Sequence, residues 1–270
     1  MTIVSIQVNL VLLKKDMYPK QPKPRYHAKK SFGQNFLKDK EVLGQIIQKS
    51  GINQEDLVLE IGPGPGFLTE KLLEVAKEVV AVEVDRDLVK VLENKFREVE
   101  NFTLINEDIL KFKPDFSSYK IVANIPYNIT GRILRYFLEE VENKPKSMTL
   151  MVQKEVAAKI VEKEPNHNLL SLSVQVFANP TLVLDVNRDF FNPVPDVDSA
   201  VLHIELLQKP LIKDTKLFFE LIRKAFQGKR KILKNTLQLE PDVFLKAKIE
   251  PTKRPEDLSI SDWNNLIESL

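Results

Sequence analysis

Cysteine is absent from the 270 residues, which excludes a disulfide framework, thiolate chemistry and Cys-ligated zinc and fits a reducing compartment. Histidine is almost as scarce: His27, His167 and His203 are scattered, share no metal-ligand spacing and fall in no Ser-His-Asp order. No apolar run reaches the roughly 18 residues that a membrane-crossing helix needs. The apolar opening, Met1 to Leu13, is too short to span a bilayer and lacks the basic leader and small-residue cleavage site of a signal peptide. It reads as a strand-like or disordered extension. An excess of one charge is also missing, since 40 basic and 38 acidic side chains leave a net +2. Glycine is scarce as well, with eight in the chain, and three of them stand at 62, 64 and 66.

Hydrophobic residues make up 43% and charged residues 29% of the chain, as in an ordinary soluble globular protein. The length allows one large domain plus a small one. The glycines sit in Glu60-Ile61-Gly62-Pro63-Gly64-Pro65-Gly66-Phe67, between the apolar run Leu57-Val58-Leu59 and a helix-like segment from Leu68 to Ala76. This is the turn out of a buried first strand into a helix. Alternating glycines permit positive φ and close approach of a ligand, and Pro63 and Pro65 stiffen the loop. A dinucleotide fingerprint would need glycine where Phe67 stands, and no G-K-[ST] is present for a P-loop. A tight strand-to-helix turn without a ligand remains open at this point.

The acidic-x-G-x-G-x-G pattern resembles motif I of class I methyltransferases that bind S-adenosylmethionine (SAM). About 20 residues on, where a doubly wound fold places the acid that accepts ribose hydroxyls, Val79-Val80-Ala81-Val82-Glu83-Val84-Asp85 ends in carboxylates. Glu83 is taken as that acceptor and Asp85 as the cap of a helix starting near Arg86. The expected fold is α/β, a Rossmann-like class I methyltransferase with a seven-stranded, mostly parallel sheet and a terminal hairpin, plus a small all-helical C-terminal domain.

Ser31-Phe32-Gly33-Gln34-Asn35-Phe36-Leu37, ahead of a helix from Glu41 to Ser50, looks like the entry motif of the small-subunit ribosomal RNA adenine dimethyltransferases (the KsgA family) and of the related large-subunit methylases. The resemblance implies that Gln34, Asn35, Leu37, Gly62, Gly64, Glu83, Asp108 and Asn124 bind SAM. Asp108 follows a third strand, Phe102 to Ile105, and would accept the cofactor's adenine amine; a helix-capping Asp is the competing reading.

A fourth strand, Lys120 to Ala123, delivers Asn124-Ile125-Pro126-Tyr127-Asn128-Ile129. The exocyclic N6 of adenine is a poor nucleophile because its lone pair is delocalised into the ring. The Asn124 side-chain oxygen and the Pro126 carbonyl, accepting its two N–H groups, would favour a pyramidal amine, while Tyr127 stacks on the extruded base. The stretch resembles the [DNS]-[PIL]-P-[YF] signature of amino-group methylases, in its RNA branch. Farther on come a helix from Thr130 to Val141, a strand from Met148 to Val152, a helix from Leu169 to Ala178, and two final strands, Thr181 to Val186 and Ala200 to Leu207. Between these strands, Phe191-Asn192-Pro193-Val194-Pro195-Asp196-Val197-Asp198-Ser199 resembles the family's F-x-P-x-P-x-V-x-S motif. That likeness implies that Phe191 closes the adenine pocket opposite Tyr127; plain core is the alternative for Phe190 or Phe191. The family's usual Gly-Arg is replaced by Asn168-Leu169.

From Gln208 only helices are expected: Thr215 to Gln227, Arg230 to Leu239, Asp242 to Ala247, and one capped by Ser261. The expected organisation is a basic extension over 1–30, a catalytic domain over 31–207 and an RNA-binding helical domain over 208–270. Lys14 to Lys40 and Arg223 to Lys234 form two basic patches on a near-neutral chain, the footprint of a polyanion partner, although a solvated tail and a solvated helix face also fit. The resemblance implies a cytoplasmic, metal-free monomer that dimethylates N6 of two adjacent adenosines near the 3' end of small-subunit (16S) rRNA. A large-subunit (23S) rRNA methylase and a non-catalytic ribosome-assembly factor stand as alternatives.

Overall fold

The computed structural model describes residues 28–29, 32–228 and 231–270. The apolar opening, His27, most of the Lys14 to Lys40 arm, Ser31, Lys229 and Arg230 lie outside the described residues.

A seven-stranded sheet forms the centre, in the order β4-β3-β2-β5-β6-β9-β7. Its strands are β2 (Leu57–Ile61), β3 (Glu78–Glu83), β4 (Phe102–Asn106), β5 (Lys120–Asn124), β6 (Ser147–Gln153), β7 (Ala178–Val186) and β9 (Ser199–Leu206). A two-stranded ribbon of β1 (Phe36–Leu37) and β8 (Phe191–Asn192) lies apart from it. The first five strands of the sheet run parallel, and β9 runs antiparallel to both β6 and β7. The inner parallel strands read as nearly continuous apolar runs because helices cover both of their faces. Alternation divides their side chains: Val58, Val79 and Val122 enter one apolar cluster, and Leu59, Val80 and Ile121 enter the other.

The first cluster is closed by α1 (Lys40–Ser50), α2 (Phe67–Val75) and α3 (Arg86–Lys95). Helix α1 shows how local signals set an element. Asp39 accepts the Glu41 and Val42 amides at 3.0 and 2.9 Å, and Gly51 at φ +62° ends it. The second cluster is closed by α4 (Thr130–Arg135, continued as a wider π turn to Glu140), α5 (Lys154–Val161) and α6 (Leu169–Gln175). It runs without a break into α7 (Thr215–Ala225), α8 (Leu233–Leu237), α9 (Pro241–Ala247) and α10 (Ile260–Glu268), where Phe219 stacks on Phe177 and Trp263 meets Phe218 edge-on. The C-terminal helices therefore share their apolar core with the sheet.

Several boundaries shift by one or two residues from expectation, and four departures are larger or change the type of element or its cap. Helix α6 stops at Gln175 and β7 already starts at Ala178, with Pro180 inside it; β7 is the sheet's edge strand, where a missing N–H is tolerated. Helix α8 is shorter than Arg230 to Leu239, ending as Gln238 turns to φ +54°. The segment expected as one helix to Val141 changes to a π turn at Tyr136. The last helix is capped by Ser259, not Ser261: Ser259 Oγ accepts the Asp262 amide at 3.1 Å while Asp262 Oδ2 accepts the Ser259 amide at 3.0 Å, a reciprocal capping box. Among the described residues no helix is long and apolar enough to cross a membrane.

Ser259→Ala is expected to cost about 1 kcal/mol in urea denaturation, the usual worth of an N-cap, whereas Ser261→Ala stays within about 0.5 kcal/mol of the parent. The reverse ranking would contradict the capping geometry.

Candidate functional site

The parallel strands reach their carboxyl ends together at Ile61, Glu83, Asn106 and Asn124, and the strand order reverses between β2 and β5. In open α/β sheets that reversal opens a crevice. Here it is a cleft of about 1190 Å³, counting the open solvent at its mouth. Gln34, Asn35, Leu37, Gly62, Gly64, Glu83, Asp108, Asn124, Pro126 and Tyr127 all line it. Residues spread over some 90 positions of the sequence are thus gathered at one sheet edge.

The glycine turn forms its floor. Gly62, Gly64 and Gly66 have φ of +62°, +59° and +80°, values that a side chain would strain. Their surroundings differ. A Cβ on Gly64 would lie 2.9 Å from the Phe36 ring and one on Gly66 2.7 Å from Phe96, while one on Gly62 would meet nothing within 4 Å. Gly64 thus admits the entry segment, Gly66 admits α3, and Gly62 faces open space. Lys95 braces the turn from outside, donating to the carbonyls of Pro65 and Gly66 at 2.8 and 3.1 Å.

Carboxylates end the adjoining strands. Glu83 Oε2 accepts the Gly64 amide at 3.3 Å and Oε1 accepts the Asp85 amide at 2.9 Å. Burial pushes its carboxyl above the ordinary range, and these amides pull it partly back. Asp108 Oδ1 accepts the Leu110 amide at 3.1 Å while lining the cleft, so it caps a turn and faces the cavity at once. Asp85 caps α3 through the Asp87 amide at 3.0 Å. Sequence reasoning stopped there, yet Asp85 also takes Lys29 Nζ at 2.8 Å and Gln34 Nε2 at 3.1 Å. The Lys29 ammonium bridges to Asp87 at 2.7 Å, and these two carboxylates hold it well above the usual lysine range. Residues 32–37 are therefore a strap drawn across the cleft.

The strap meets the end of β5 at Asn124. Its Nδ2 donates to the Asn35 carbonyl at 3.0 Å. A carbonyl can only accept, so Nδ2 must face it and Oδ1 is left as the amide's acceptor. Pro126 initiates a 3₁₀ turn, its carbonyl accepting the Ile129 amide at 3.2 Å with one of two lone pairs. Tyr127 is half-buried beside it, and its hydroxyl lies 2.5 Å from Ser199 Oγ at the start of β9.

Phe191 is the expected site residue that the structure does not bring here. It is 3% exposed, paired with Leu37 across the β1–β8 ribbon and packed in the same apolar cluster as Val186 and Val201. Its neighbour Phe190 is 40% exposed. The ribbon pairing leaves Phe191 buried in that cluster and outside the cleft lining, to which Tyr127 does belong.

Glu60, the acidic member of the glycine motif, lies in β2 two positions before Gly62. It lines the cleft at 1% exposure, and its Oε2 and Thr69 Oγ1 form no well-aligned hydrogen bond with each other or with any other described residue. Burial pushes its carboxyl up to about 8, with the Thr69 hydroxyl beside it and then Lys95 opposing. Unfolded, the same carboxyl ionises near 4.5. Between these values the folded chain keeps a proton that the unfolded chain has released, so this group's contribution is complete below 4.5 and is lost as pH rises through 8. Glu60→Gln is expected to remove a slope of at most about 1.4 kcal/mol per pH unit from the stability profile across that window. Parallel profiles for the two proteins would refute a buried, protonated Glu60.

Comparison with known proteins places this architecture. A profile of ribosomal RNA adenine dimethylases matches residues 25–270. The ribosomal RNA small subunit methyltransferase A of Dehalococcoides mccartyi is 42% identical over 254 residues, covering 88% of this chain and 87% of that protein. Among solved structures, a dimethyladenosine transferase from Plasmodium falciparum superposes with a TM-score of 0.76 at 27% identity, covering 86% of this chain and 96% of that one. The 23S rRNA methyltransferase ErmE superposes with a TM-score of 0.73 at 26% identity, covering 87% and 99%. Matched over nearly its whole described length by sequence and by fold, the chain belongs to the ribosomal RNA adenine dimethylase family.

Proposed function

We propose that the cleft transfers methyl groups from SAM to N6 of adenine in small-subunit ribosomal RNA, dimethylating two adjacent adenosines. The relatives' names support the reaction and the subunit, and the observation that carries it in this chain is the orientation of Asn124. With Nδ2 held by the Asn35 carbonyl, Oδ1 is the acceptor for one N–H of the target amine. The second lone pair of the Pro126 carbonyl takes the other.

The residues present fit SAM. Gly62 leaves room where a side chain would intrude, Glu83 presents a carboxylate for ribose hydroxyls, and Asp108 stands at the next strand end for an adenine amine. Gly64 supports the turn that the ligand would lie against, and Leu37 supplies apolar wall. Gln34 and Asn35 act chiefly by closing the strap, since the Gln34 amide reaches both Asp85 and the Lys29 backbone. SAM supplies an electrophilic sulfonium methyl when bound. The protein's part is to align the amine with it and exclude water: Asn124 and Pro126 hold the amine, Tyr127 supports the base, and the strap covers the cavity.

The RNA partner would be engaged by Lys38 and Lys40 beside the strap and by Arg223, Lys224, Lys231 and Lys234 on the C-terminal helices, all exposed. In this reading residues 208–270 form the RNA-binding part of a cytoplasmic monomer. The fold likeness to ErmE favours a large-subunit target, but it rests on 26% identity against 42% to a small-subunit enzyme.

Labelled SAM incubated with immature small and large subunits is expected to label the small subunit alone. Asn124→Ala should cut the rate by about 10²–10³, the usual loss when one positioned hydrogen-bonding group is removed from a reacting centre. Transfer at the parent rate by Asn124→Ala, or label on large subunits only, would overturn the assignment.

A further inference from the structure

Tyr127 and Ser199 stand 72 positions apart in the sequence, at the ends of different elements, with their hydroxyls 2.5 Å apart. The two residues are held very differently. Ser199 is 0% exposed and sits between two strands, in register with Gln153 of β6 and Val186 of β7. The residue before it is fixed as well: the Asp198 carbonyl accepts the Lys154 amide and its Oδ1 accepts the Arg188 amide, each at 3.0 Å. Tyr127, by contrast, is half-buried in the cleft lining, at the first position of the 3₁₀ turn that leads into α4, and belongs to no strand.

We infer that Ser199 is a positioning residue for the methyl acceptor: it fixes the plane of the Tyr127 ring, through the phenol hydroxyl, before the target base arrives. The inference rests on the proposed reading of Tyr127 as the platform for an extruded adenine. An aromatic ring contributes stacking only if its face is already turned to the base, and a side chain ordered in advance does not have to be ordered on binding. The phenol is the one polar handle at the far end of the ring, so a bond there stops rotation that the backbone turn cannot stop. Burial pushes the Tyr127 phenol above its usual range, which keeps it neutral and able to share a proton with a neutral serine. The other side of the same loop is gripped by the strap, where Asn35 holds Asn124 and Gly33 approaches Asn128. The acceptor loop is thus clamped from both sides, by the segment before the sheet and by the strand that closes it.

A double-mutant cycle tests this with the full-length protein. Methyl transfer from labelled SAM to immature small subunits is measured for the parent, Ser199→Ala, Tyr127→Phe and the double variant, with S-adenosylhomocysteine affinity and melting temperature recorded for each. Each single change is expected to lower kcat about tenfold, the worth of one neutral hydrogen bond. KM for the subunit should hold, because the basic surfaces that dock it are elsewhere. The double variant should be no slower than either single one, and S-adenosylhomocysteine affinity should not move. Additive losses, or a Tyr127→Phe enzyme with the parent's kcat, overturn the inference. Should Ser199→Ala fail to fold, Tyr127→Phe removes the same hydroxyl from the half-buried partner and decides the question alone. A parent protein that binds S-adenosylhomocysteine but methylates no RNA would refute the platform reading and this inference with it, whereas an active parent beside a fully active Tyr127→Phe refutes the inference only.

Discussion

The bond from Asn124 Nδ2 to the Asn35 carbonyl is where the cleft's two halves become one site. An asparagine amide offers a donor and an acceptor on opposite sides, and a ligand meeting the wrong one meets repulsion. A single neutral hydrogen bond is worth about 1 kcal/mol net, too little to hold a free segment in place. The strap is accordingly fixed elsewhere too, by Lys29 and Gln34 on Asp85, by Phe36 lying against Gly64, and by the ribbon that pairs Leu37 with Phe191. Phe191, expected in the pocket, thus serves the pocket from behind by anchoring the segment that orients Asn124.

Charge in the cleft obeys a related constraint. Glu60, Glu83 and Asp108 gather near the carboxyl ends of neighbouring strands, and burying them together costs solvation that must be offset by hydrogen bonds or protonation. Glu83 is met by the amides of Gly64 and Asp85, while Glu60 Oε2 has only the poorly aligned Thr69 hydroxyl near it among the described residues. The glycine turn therefore does two jobs. It opens space at Gly62, and at Gly64 it supplies an N–H that steadies the buried Glu83 carboxylate.

What the sequence made legible was local. Alternating glycines after an apolar run, a carboxylate closing the next strand, and Asn-Ile-Pro-Tyr after another are each a few consecutive residues, and the structure sets all of them on the one cleft. The mostly parallel sheet agrees with the same pattern, because apolar runs alternating with helices favour parallel strands; the strand order itself is read only from the structure. The misses were non-local or depended on register. Nothing in the stretch around Phe191 says which of two adjacent phenylalanines turns inward, because that is set by pairing with β1, more than 150 positions earlier. The role of Asp85 beyond capping needs Lys29 and Gln34, and the hold on Tyr127 needs Ser199. Ser259 could have been found, since S-x-x-D ahead of an apolar run is a capping pattern.

The loop at Asn168-Leu169 shows how a cap side chain secures the start of a helix. Asn168 Oδ1 accepts the amides of Leu170 and Ser171 at 2.9 and 3.0 Å, Ser171 Oγ returns a bond to the Asn168 amide at 2.9 Å, and Nδ2 reaches the Lys159 carbonyl at 2.8 Å. A glycine there could make none of the side-chain bonds. Leu169, 39% exposed, carries no charge for a phosphate. The loop thus starts α6 firmly and contributes little to attracting a polyanion. Long-range attraction scales with exposed charge, and Arg223, Lys224, Lys231 and Lys234 and the strap-flanking Lys38 and Lys40 are exposed. Those flanking lysines, Lys38 and Lys40, sit next to the segment that orients Asn124, so positive charge and closure of the cleft fall on the same stretch of backbone.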